Sequence, residues 1–200
     1  TIDSTTSGDV RAKSEARASG LGSGVNARAR GDLDLETSID VDGSLIAEHL
    51  LTVRGETSPG GDVTTYARAR GLGADSSAND YGDQGLFVKA NTKIDFAGVN
   101  RLQGDEIDIN AHMGSGSLTT YSNSDAKALG ADSDSRASIE LSGGSTLTIN
   151  SGVVVDGWEA IRLRAENSGL SLRSGARSSC GCLGGDTDAT ARIVYNTTAK

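Results

Sequence analysis

The stretch Tyr66–Asp75 reads YARARGLGAD; Glu15–Gly24 reads EARASGLGSG, and Asp125–Asp134 reads DAKALGADSD. A phrase rewritten along one chain, with neither a nucleophile nor a metal-ligand set in it, points to architecture. In Ala67-Arg68-Ala69-Arg70 alternate residues face opposite ways, as on a strand with a side-chain period of two. Alanine suits a narrow interior, while arginine keeps its charge in water. Ala16-Arg17-Ala18, Ala27-Arg28-Ala29-Arg30 and Ala126-Lys127-Ala128 repeat the alternation. The Gly-Leu-Gly that follows is expected to be a bend with Leu21 or Leu72 as an apolar plug.

Four further landmarks keep step with this phrase. A turn-plus-strand start occurs at Gly8, Gly61, Gly116 and Gly169, spaced 53, 55 and 53. An apolar-x-apolar triplet begins at Leu33, Leu86, Ile139 and Ile193, spaced 53, 53 and 54. A second begins at Ile39, Ile94 and Leu147, and a third at Leu51, Ile107 and Ile161. Such order implies modules of about 54 residues, at 8–60, 61–115, 116–168 and a partial 169–200. The whole chain, 1–200, then reads as one repetitive segment.

DLDLET, SIDVDG, KIDFAG, TLTIN and IRLRAE each alternate apolar with polar residues, the mark of strands with one face inward. Strands of about four to six residues are expected, separated by Gly, Asn, Asp or Ser turns. The predicted fold is all-β: a right-handed parallel β-helix, or β-solenoid. A β-propeller is the alternative, since its blades run to similar lengths. Short strands and an aromatic content of 4% favour the solenoid. Each module would form about two or three coils, and the stack a rod of about 40–50 Å.

Composition supports this reading. With 27 Gly and few large side chains, a compact globule has little to bury. A net charge of −8 argues against a nucleic-acid surface. No apolar run is long enough to cross a membrane as a helix. The chain opens at Thr1 without an initiator Met or a secretory signal, as a segment of a longer protein would. Cys180 and Cys182 flank one glycine, and two unpaired thiols are expected from so short a spacing.

Chemistry-bearing residues are few. Asp75 and Asp80, Asp132 and Asp134, and Asp186 and Asp188 all follow the LG bend. Carboxylates on Gly-rich turns are ligands that Ca²⁺ takes, so this is the candidate metal edge; Asp and Ser in turns explain the same residues without a metal. Asp105, Glu106 and Asp108 beside Arg101 are the candidate acid/base group, although alternation with Ile107 and Ile109 is ordinary strand patterning. His49 and His112 stand singly, without a second ligand at metal spacing. Tyr66 and Tyr121, 55 apart, are expected to share a column.

LTIN-SGVVVDG, IDIN-AHMGSGSL and the GADSDS strings resemble the repetitive shafts of filamentous-haemagglutinin-like adhesins and related bacterial surface exoproteins. The resemblance implies secretion to the cell surface or beyond, a β-helical stalk, and a structural or adhesive role. The implied partners are further copies, other surface proteins or glycans. No catalytic residue carries over. Two other readings remain: a carbohydrate-active β-helix with one non-repeating carboxylate pair, and a calcium-stabilised extracellular repeat.

Overall fold

The computed structural model describes residues 1–79 and 84–200. Nine strands follow one another among them: β1 (Ile2–Ala27), β2 (Arg30–Ile46), β3 (Leu50–Ala78), β4 (Gly85–Gly114), β5 (Ser117–Lys127), β6 (Gly130–Thr148), β7 (Val154–Ser168), β8 (Ser171–Cys180) and β9 (Thr187–Ala199). All nine join one large sheet, and every strand pairing is parallel. The antiparallel hairpins of a propeller blade are absent among the described residues.

The register is long-range throughout. Ile2 pairs with Val53, Val53 with Ile109 and Ile109 with Leu163, making a column four residues deep. Ala27, Ala78, Ser135 and Ala189 make another. Offsets run from 51, for β1 on β3, to 57, for β3 on β5. One layer therefore takes about one module-length of chain, not a half or a third of one. Four layers at the usual strand spacing stand about 15–20 Å high, well short of the expected 40–50 Å.

The reason is strand length. Strands of four to six residues were expected, yet β8 has 10 and β4 has 30. Gly and Asp within the repeated phrases do not end the strands. Instead, similar phrases lie on one another, Gly20 against Gly71 and Gly73 against Gly130, so the hydrogen-bond ladder runs on close to the bends. A bend costs no backbone pairing when the next layer bends at the same place.

Two of the predicted columns form as expected. Ile39, Ile94 and Leu147 stack, as do Leu51, Ile107 and Ile161. In the third, Leu86, Ile139 and Ile193 stack, but Leu33 pairs with Val88, two residues further on. Likewise Val10, and not Gly8, lies on Gly61. Spacing in sequence misses such a shift because the offset differs between strand pairs: it is 55 at Leu33 and 51 at Val10, where the landmark spacing is 53.

Inside, the filling changes from one end of each layer to the other. Ile94, Phe96, Leu102, Ile107 and Ile109 form one fully buried apolar cluster, and Leu86, Leu118, Ile139 and Leu141 a second. Burying each such side chain contributes about 1.5–3 kcal/mol. Towards the LG bend the interior narrows to Ala69, Ala74, Ala126 and Ala131. Between them lies a band of buried hydroxyls. Ser124 donates to the Ser76 carbonyl at 2.7 Å and Ser122 to the Ala78 carbonyl at 2.8 Å. With only Ala and Ser between them, the two walls come close enough for a side-chain oxygen to reach the opposite backbone.

Candidate functional surface

The repeated phrase folds as its alternation requires up to the bend. Ala67 and Ala69 are fully buried, while Arg70 is exposed. Arg68 points outward and pairs with Asp125 of the next layer at 3.1 Å. At the bend the expectation fails: Leu21, Leu72, Leu129 and Leu183 are 81%, 56%, 57% and 89% exposed. No plug enters the interior there, because alanines already fill it. Backbone bonds from Leu129 N to Leu72 O (3.2 Å) and from Leu183 N to Leu129 O (3.3 Å) stack three of these leucines, and Leu21 lies between the Gly20–Gly71 and Gly22–Gly73 pairs, so the four form an apolar ridge.

Just past the ridge lies the predicted metal edge. Asp75 pairs with Asp132 and Ser77 with Asp134 in the register; Asp134 in turn pairs with Asp188. Asp186 continues the first column, its N–H donating to Asp132 Oδ1 at 3.1 Å. Asp80 lies outside the described residues. The carboxylates are thus stacked in two columns along an edge, and among the described residues no group of three His, Cys, Asp or Glu side chains is placed to hold an ion. A groove of about 530 Å³, floored by Gly22, Gly73, Gly130 and Gly184, separates the ridge from this column.

The candidate acid/base group is dispersed into cross-layer ion pairs. Glu106 meets Arg162 at 3.0 Å, Asp108 meets Arg164 at 2.7 Å, and Arg101 meets Asp156 at 2.7 Å. Asp105 accepts the His49 ring at 3.0 Å. His112 lies 3.0 Å from Ser168 Oγ. These contacts join β4 to a neighbouring layer, so the side chains act between layers and do not converge on a cleft. Elsewhere on the surface Arg30 holds Asp32 at 2.7 Å, which lowers the Asp32 pKa through that hydrogen bond and the adjacent charge. Asp95 beside Lys93, at 2.9 Å, raises the Lys93 pKa in the same way.

A wider groove, about 850 Å³, crosses three layers near Gly8, Gly61 and Gly116. Ser7, Gly8, Asp9, Gly61, Asp62 and Gly116 are among its lining residues, and Arg11 is tied to Asp9 at 2.9 Å. Its glycines, read in the sequence only as turn starts, are set by packing beneath the groove: a side chain at Gly8 would meet Leu35, and one at Gly61 would meet Leu86.

Two other expectations change. Cys180 and Cys182 are joined by a disulfide and are not separate thiols, their Cα atoms being 5.5 Å apart. Tyr66 pairs with Asn123, and Thr64 with Tyr121, so the tyrosines occupy different columns; the Arg17 guanidinium lies 5.9 Å from the Tyr66 ring centre instead. The offset of 57 here, against the 55 between the tyrosines, separates them.

Comparison with protein-family models, curated proteins and solved structures gives no match.

Proposed function

We propose that this chain is a structural and adhesive segment of a secreted bacterial surface protein, built as a right-handed parallel β-solenoid from modules of about 54 residues. One observation carries the reading. From Ile2 to Ala199 the described strands lie on strands one module-length away, always in parallel. A chain that spends nearly its whole length on a repeated ladder gains a stiff, regular surface. The charged side chains go into contacts between layers, as in Arg162–Glu106 and Arg164–Asp108, which brace the stack. The stacked polar faces are then available to other surface proteins or glycans. The likeness to filamentous-haemagglutinin-like shafts supports the extracellular setting.

The test is solution scattering with infrared spectroscopy on the purified chain, followed by binding to immobilised glycans and to bacterial surfaces. Parallel-sheet amide bands with surface binding are the expected result. Antiparallel hairpin bands would overturn the architecture; a well-ordered chain that binds neither glycan nor surface, and instead cleaves a polysaccharide, would overturn the role.

A further inference from the structure

The repeated phrase carries one more regularity, independent of the functional reading above. Along the chain, a basic residue precedes the exposed leucine and an acidic one follows it: Arg70–Leu72–Asp75 in one layer, Lys127–Leu129–Asp132 in the next. All six are exposed. Because the chain doubles back at the leucine, the charges lie on opposite flanks of the ridge. The groove floored by Gly73 and Gly130, about 530 Å³, lies on the acidic flank, and a smaller hollow of about 260 Å³ lies among Arg17, Arg68 and Arg70 on the basic flank. In these two central layers the edge therefore runs, from side to side, basic flank, leucine ridge, glycine groove, acidic flank.

We propose that this edge is a self-association surface, and that its partner is a second copy of this chain related by a two-fold axis parallel to the stacking direction. Such an axis exchanges left and right while keeping the layers level. It seats each ridge in the other copy's groove and sets Arg70 and Lys127 of one copy against the acidic flank, Asp75 and Asp132, of the other. The opposite choice, a two-fold axis across the stack, brings basic flank to basic flank and is disfavoured by like charge. Matching layer spacing in two identical copies lets four leucines enter one groove without a register error. Exposed leucines gathered in one column are the kind of patch that marks an interface, and a patch complementary to itself closes into a dimer.

The experiment is sedimentation velocity on the full chain across concentration and salt. A dimer is expected, weakening as salt rises because its flanking charges are screened. L72Q/L129Q, both at exposed positions, should be monomeric with an unchanged circular dichroism spectrum. R70D/K127D should weaken dimerisation at least tenfold, and adding D75K/D132K in the same chain should restore it. The orientation is read by cross-linking. With Cys180 and Cys182 already bonded, L21C supplies a free thiol, and a short bismaleimide should link it to L21C of the second copy. A monomer at every concentration, or a dimer that survives L72Q/L129Q, overturns the proposal. Linking of L21C to L183C in a mixture, in preference to L21C with itself, overturns the parallel arrangement.

Discussion

Asn79 holds the start of one segment from the layer above it. Its side-chain oxygen accepts the Ala29 N–H at 2.8 Å, and its own N–H donates to Ala27 O at 2.9 Å. The residue is 2% exposed and has φ of 53°, a left-handed conformation that Asn tolerates better than most residues. Asn79→Ala should remove the acceptor of the buried Ala29 N–H and add backbone strain, costing about 2–3 kcal/mol in a denaturant titration. Asn79→Asp retains the acceptor and should cost less. Equal losses for the two would show that the bond to Ala29 contributes nothing.

Layer position should grade the cost of cavities. Ile94 is fully buried, with Ile39 on one side and Leu147 on the other. Ile94→Ala is expected to cost about 3–5 kcal/mol. Ile39 has a neighbour on one side only, so Ile39→Ala should cost roughly half as much, since its site collapses or hydrates more easily. Thermal melting of the two variants decides the matter.

The hydroxyl of Thr57 lies 2.8 Å from Thr37 Oγ1, from Asn91 O and from Thr92 Oγ1. Thr37 and Thr92 each have a second acceptor, Glu56 O and His112 O. Thr57→Val keeps the shape and strands neither threonine. The loss should therefore stay near about 1 kcal/mol. A loss several times larger would mean that the three hydroxyls act as one network.

Stacked carboxylates repel. Asp132→Asn keeps an acceptor for the Asp186 N–H and removes the charge between Asp75 and Asp186. In chelator it should raise stability by a few tenths of a kcal/mol to about 1 kcal/mol, fading in high salt. Repeating the melt in millimolar calcium tests the metal reading of this edge: a variant less stable than the parent only with calcium present would establish ion binding there.

Acid stability should depend on the Arg30–Asp32 pair. Its carboxyl is held below the ordinary value of 3.8 in the folded chain, so its contribution is fully present above that pH and disappears as the pH falls further. Asp32→Asn should separate from the parent near neutral pH and converge with it towards pH ~2. Lys93 has the opposite sign: its pKa is raised above 10.5 by Asp95, and its contribution is lost only at more alkaline pH. A gap between Asp32→Asn and the parent that widens on acidification would contradict the assignment.

By itself the sequence determined the β class, the inward and outward faces of the alternating stretches and, to within about two residues, which phrases lie on one another. Period-two alternation and a long-range period are properties of the chain alone, so Ala67 and Ala69 read as interior and Ile39, Ile94 and Leu147 as one column. Tertiary structure alone decided how much chain makes a layer, because that depends on whether strands end at glycines or run close to them, and paired glycines in adjacent layers removed the reason to end. It also decided where Leu72 points. The preference of leucine for burial is general, whereas the room beneath the bend was already taken by Ala69, Ala74, Ala126 and Ala131. The carboxylates followed the same logic: charge and spacing announced Asp132, but only the register showed its neighbours to be other carboxylates, level by level, beside an exposed ridge.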